Sequence, residues 1–114
     1  MAIPSGNGSE VAKMLTQAIT GALTITPDDD HIYIILNIII KNNHSSSTHF
    51  DIKISDDNAS AYQFILESQS LDQDKTFVWN DRIVLVDNTN KLMIDTNASD
   101  PLHVTMNYIE QDWS

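Results

Sequence analysis

Cysteine is absent from the 114 residues, which excludes disulfides, thiolate metal sites and cysteine nucleophiles together. Basic residues are nearly as scarce. Six stand against sixteen acidic ones for a formal charge of -10, and Lys13, Lys41, Lys53, Lys75, Arg82 and Lys91 include no adjacent pair. A chain so balanced repels phosphate backbones and anionic membranes, so neither nucleic acid nor a membrane is an expected partner. Glycine is limited to Gly6, Gly8 and Gly21, too few for a phosphate-cradling loop. No stretch reaches the roughly 20 apolar residues of a helical membrane span. The first eight residues lack the basic-then-apolar pattern of a secretory signal, so a soluble protein made in a cytoplasm is expected.

What the chain has in abundance is neutral polar residues, because hydrophobic residues make up 41% and charged ones 19%, both below the usual shares. That composition suits one small, loop-rich domain, and the length suits one domain as well. Residues 1–10, with Pro4, Gly6, Gly8 and a single large apolar side chain, Ile3, read as an extended arm ahead of a domain over residues 11–114. Residues 14–26 read as strand-like with a turn at Gly21. In the β-branched run His31-Ile-Tyr-Ile-Ile-Leu-Asn-Ile-Ile-Ile-Lys41, strict alternation puts Ile32, Ile34, Leu36, Ile38 and Ile40 in a core. It turns Tyr33, Ile35, Asn37, Ile39 and Lys41 the other way. Shorter alternating runs follow around Phe50–Ile54, Tyr62–Leu66, Thr76–Trp79, Ile83–Val86, Lys91–Asp95 and Leu102–Tyr108, punctuated by Asn, Asp and Ser. Seven or eight such strands at about ten-residue spacing predict an all-β, antiparallel sandwich of jelly-roll or immunoglobulin-like topology. The Asn-x-Ser sites at Asn7, Asn43, Asn58 and Asn97 read as turn residues.

Three acidic turns are the weak candidates for an oxygen-rich calcium site: Asp28, Asp29 and Asp30; Asp56 and Asp57 with Asn58; and Asp95, Asn97 and Asp100. Their spacing matches no EF-hand loop, and the expected state is a set of solvated turns, with no metal and no cofactor. His31, His44, His49 and His103 are scattered and read as surface residues. No nucleophile elbow accompanies the many serines, so no enzyme is expected. Tyr33, Tyr62, Tyr108, Trp79 and Trp113 could stack on a sugar, although Phe77 and Trp79, two apart on one strand, also suit a core.

Five segments carry a resemblance that runs the length of the chain: Met1-Ala-Ile-Pro-Ser-Gly-Asn-Gly-Ser-Glu-Val11, His31-Ile-Tyr-Ile-Ile-Leu-Asn-Ile38, Phe50-Asp-Ile-Lys-Ile-Ser-Asp-Asp57, Lys75-Thr-Phe-Val-Trp-Asn-Asp81 and Tyr108-Ile-Glu-Gln-Asp-Trp113. In this order they resemble small virion structural proteins of tailed bacteriophages, including those of cyanobacteria. The resemblance implies a non-enzymatic particle component assembled in the host cytoplasm, a capsid decoration or cement protein ahead of a neck or tail accessory protein. The major capsid protein, or neck and tail proteins, are then its partners. A lectin-like sugar-binding sandwich is the alternative. The apolar side chains left over by the alternation, with the arm and the terminal Trp, place the expected interface at Ala2, Ile3, Pro4, Val11, Tyr33, Ile35, Ile39 and Trp113. A chain of this size without disulfides gains stability by oligomerising, and the resemblance to cement proteins implies a homotrimer.

Overall fold

The computed structural model describes residues 9–43, 46–58, 60–96 and 101–112. It is an antiparallel β-sandwich, as the alternating runs predict. The strands are β1 (Ser9–Ile19), β2 (Ala22–Ile25), β3 (His31–Asn42), β4 (Thr48–Ser55), β5 (Gln63–Leu71), β6 (Thr76–Trp79), β7 (Ile83–Val86), β8 (Lys91–Thr96) and β9 (Leu102–Asp112). A short 3-10 turn, Asp87–Thr89, separates β7 from β8. Ser9 and Glu10, read from sequence as part of the arm, belong to β1. Ala2, Ile3, Pro4 and Trp113 lie outside the described residues. Among the described residues no helix is long and apolar enough to cross a membrane.

One sheet has the order β1-β9-β3-β6, with β7 also on β3, and the other has the order β2-β8-β4-β5. The two short strands β6 and β7 lie end to end along β3, β6 against Ile38 to Lys41 and β7 against Ile32 to Ile35. Counting that pair as one strand gives two four-stranded sheets, each with an early strand beside a late one. That order is a jelly roll, which resolves the choice of topology that periodicity leaves open. The core between the sheets is aliphatic, with Ile35, Ile38, Ile40, Phe50, Ile52, Leu92, Ile94 and Leu102 fully buried. The Phe50 and Phe77 rings meet edge to face at 5.1 Å, so Phe77 points inward.

Strict alternation fails in β3. The register with β9 shifts between Ile35 and Asn37, so that Leu36 is an extra residue, a bulge that turns the following side chains to the opposite face. Before it, Tyr33 and Ile35 face the core; after it, Ile38, Ile40 and Asn42 do. Ile35, assigned by alternation to an intersubunit surface, is therefore 0% exposed within its own sandwich. Ile34 and Leu36, assigned to the core, stand on the outer side, Leu36 at 37% exposure. Asn42 closes the inner row at 1% exposure, where Nδ2 donates to the carbonyl oxygens of Ser46 at 2.9 Å and Leu71 at 3.1 Å. A buried amide needs such acceptors, and these tie the end of β3 to β5.

Ile35→Ala empties a fully packed site and is expected to cost about 2–5 kcal/mol. Ile39→Ala, four residues on but on the outer face, should cost less than half as much, a contrast that urea unfolding midpoints of the two variants measure directly.

Candidate functional site

The bulge gives the five-stranded sheet an apolar outer face. Strand register aligns it in rows. Val84, Ile34, Ile109 and Ala12 are successive cross-strand partners. Asn37, Asn107 and Met14 form the next row, and Val78, Ile39, Thr105 and Thr16 the one after. Met14 is 67% exposed, Val78 54% and Val84 49%. The central row holds a polar contact, in which Asn107 Nδ2 donates to Asn37 Oδ1 at 2.8 Å. These three rows carry no charged residue in a chain of net charge -10. An uncharged face with exposed apolar side chains on both flanks of a polar centre is a candidate interaction surface. Of the interface residues expected from sequence, Ile39 lies on this face. Val11, 49% exposed, lies at the sheet edge on the inner side of β1. Tyr33 and Ile35 point inward.

The acidic residues gather elsewhere. Asp28 to Asp30 precede β3, and Asp56 and Asp57 follow β4, at the same end of the sandwich. They do not meet around an ion. Each turn is instead hydrogen-bonded to the 3-10 turn between them: Asp30 N–H donates to Asp87 Oδ1 at 3.0 Å, and Asn58 N–H donates to the Thr89 carbonyl at 3.0 Å. Asp57 Oδ1 accepts from Ser55 Oγ at 2.8 Å and Ala61 N–H at 3.0 Å, and these donors, the Ser55 hydroxyl first, hold its carboxyl below the usual carboxylate range. Asp95 sits near the far end of β8, its carboxylate 3.5 Å from Lys53 Nζ. Asn97 and Asp100 lie outside the described residues. Among the described residues no group of three His, Asp or Glu side chains is placed to hold a metal ion.

His31 has a built environment that spacing did not disclose. Its Nδ1 lies 2.8 Å from the Asp29 carbonyl, and its Nε2 lies 3.7 Å from both Glu110 and Asp112. Glu110 also pairs with Lys13, so one ionic cluster joins β1, β9 and β3 at the acidic end. The Asp29 hydrogen bond, with the Asp112 and Glu110 carboxylates, raises the His31 pKa above its ordinary value of 6.5. His49 and His103 are exposed and stand on strands of different sheets, while His44 lies outside the described residues.

Among the described residues the aromatic platform does not assemble. Phe77 and Trp79 pack against the core. Tyr33 and Tyr108 are neighbours, their rings 5.0 Å apart and tilted by 39°, and line a shallow cavity of about 190 Å³ with Leu15 and Thr26. A second cleft of about 180 Å³ is lined by Ile54, Ile83 and Leu85 together with Ser55, Asp57 and Asn90. Both are smaller than the roughly 300 Å³ at which small-molecule sites begin. The outer sheet face is the larger feature.

No protein-family model matches the chain, and no curated protein matches it. Among solved structures, a chain in the structure of infectious bursal disease virus Gx strain superposes with a TM-score of 0.52 at 12% identity, over 96% of this chain and 34% of that one. A chain of the Gt strain gives 0.43 at 11% identity, over 96% and 33%. The CBM22-1 xylan-binding domain from Paenibacillus barcinonensis Xyn10C gives 0.46 at 9% identity, over 98% and 86%. This chain spans about a third of the viral chains it matches. At such identity the likeness is one of fold, and the shared fold is the β-sandwich.

The His31 cluster makes stability depend on pH. A folded pKa above the unfolded value means that the contribution is full below the unfolded pKa near 6.5 and is lost as pH rises through the folded value. The melting-temperature difference between the wild type and His31→Gln is therefore expected to be larger at about pH 5.5 than at about pH 8.5. An equal difference at both would remove the cluster from the account.

Proposed function

We propose that the chain is a non-enzymatic structural protein of a virus particle, and that it docks on the particle shell through the outer face of the five-stranded sheet. One observation carries this reading: three adjacent cross-strand rows, from Val84 and Val78 on one side to Ala12 and Thr16 on the other, are apolar or neutral. Sixteen acidic residues elsewhere keep the rest of the surface soluble. An uncharged face on an otherwise acidic body suits a flat protein shell better than a sugar, which asks for a concave site with fixed polar groups. The jelly roll serves viral capsids and lectins alike, so the fold weights neither reading. The likeness to a chain of a virus particle is one of fold and is consistent with the first reading without selecting it.

Within that role, decoration of the head of a tailed phage, with the major capsid protein as partner, is the specific form favoured by the sequence resemblance. Placement at the neck or tail is its nearest variant. The virion is then the protein's location, and self-association belongs to the same reading.

Cosedimentation of the purified chain with capsids and, separately, with tails of the virus that encodes it tests the proposal. Binding to capsids is expected with or without calcium. The double variant Val78→Asp with Val84→Asp, both exposed in the free chain, should melt near the wild-type temperature and lose binding. A chain that ignores both particles but gains melting temperature with calcium and retains a glycan ligand would belong to the sugar-binding class instead.

A further inference from the structure

The sandwich has edges, and among the described residues all but one are protected. β2, β6 and β7 are four residues long, too short to template another strand. β5 is broken by two register shifts against β4, and its Ser68 has a left-handed φ of 52°. β1 has none of these devices. It runs for eleven residues, pairs with β9 along its whole length without a shift, and contains no proline. Its one lysine, Lys13, is paired within the chain to Glu110. Its second backbone edge meets no strand among the described residues. A long, regular, unguarded edge is a template for strand addition.

We propose that a second copy of this chain occupies it, β1 against β1 antiparallel about a two-fold axis at Met14, joining the two five-stranded sheets into one. Three observations select a copy. First, β1 carries one acid and one base, Glu10 and Lys13, so two chains of net charge -10 meet at a segment of no net charge. Second, directly opposed residues in a continuous sheet face the same side. Only registers centred on a residue satisfy this for a two-fold pair. Third, centring on Lys13 would set two lysines opposite each other, whereas centring on Met14 opposes Glu10 to Ala18, Val11 to Gln17, Ala12 to Thr16 and Lys13 to Leu15 in the other copy. That register overlaps the entire strand and contains no like-charge pair. It also covers Met14 and Val11, two of the most exposed large apolar side chains, and runs the neutral outer face from one copy into the next.

The inference goes beyond the particle-docking reading and does not depend on it. Its test uses the purified full chain without particles, so its failure leaves shell binding untouched. Light scattering of the wild type is expected to give the mass of two chains, with association strengthened by salt as the net repulsion is screened. Met14→Lys and Met14→Glu should each fall toward the mass of one chain, and an equimolar mixture should return to two, because only the mixture opposes unlike charges across the axis. Since the chain has no native cysteine, Met14→Cys should oxidise to a covalent dimer, while Ala18→Cys, opposed to Glu10, should not. A wild type that stays single at its highest soluble concentration, a three-chain mass, a mixture no heavier than its components, or equal crosslinking at 14 and 18 would each overturn the proposal.

Discussion

The pairing of β3 with β9 is the constraint on which the rest depends. It brings together segments about seventy residues apart in the chain, with Asn37 hydrogen-bonded to Asn107 in the middle. Every other strand of that sheet is placed by it: β1 hangs on the far side of β9, and β6 and β7 share the far side of β3. The other sheet closes over the face that this ladder presents, where Ile38, Ile40, Val104 and Met106 meet Phe50, Ile52, Leu92 and Ile94. Contacts of such sequence separation carry the full entropy of loop closure before any core forms. The fold is therefore cooperative by construction.

A single extra residue in that ladder decides which surface the molecule shows. The bulge at Leu36 lets Ile35 and Ile38 both face inward, although their positions in the chain have opposite parity. Without it, the second half of β3 would turn Asn37, Ile39 and Lys41 inward and expose Ile38 and Ile40. The bulge thus fills the core and, at the same time, gathers Ile34, Leu36 and Ile39 on the outer face beside Val78 and Val84. Packing and surface chemistry are two sides of one backbone irregularity.

Charge is distributed to the same effect. Two of the acidic turns crowd one end of the sandwich, where backbone donors, the Lys13 ammonium and the His31 imidazole offset part of their repulsion. The middle of the outer sheet and the β1 edge stay neutral. Neutral, flat surface on a strongly acidic body is where association meets the least electrostatic resistance. Docking on a shell and pairing of two copies draw on adjoining parts of that surface, one a sheet face and the other a sheet edge.

Much of this architecture is legible in the residues. β-Branched alternation and Asn/Asp/Ser turns mark most of the strands, although β1 starts at Ser9 ahead of the run at 14–26, and β5 and β9 run on to Leu71 and Asp112. The spacing of Phe77 and Trp79 puts them on one face, and packing against Phe50 and the core makes that face the inner one. The facing of β3 is not legible, because in the run Tyr33-Ile-Ile-Leu-Asn-Ile38 large apolar side chains fall on both parities and nothing in the composition marks the extra residue. Nor is the cluster of His31, Glu110, Lys13 and Asp112, whose members come from β3, β9 and β1 and meet only through antiparallel register. Periodicity is a property of one strand, and so the sequence by itself determined the all-β class, the acidic charge and the positions of the turns. Strand order, the face each isoleucine takes and the unguarded edge of β1 were decided by tertiary structure, because each depends on which distant strand supplies the hydrogen-bonding partner.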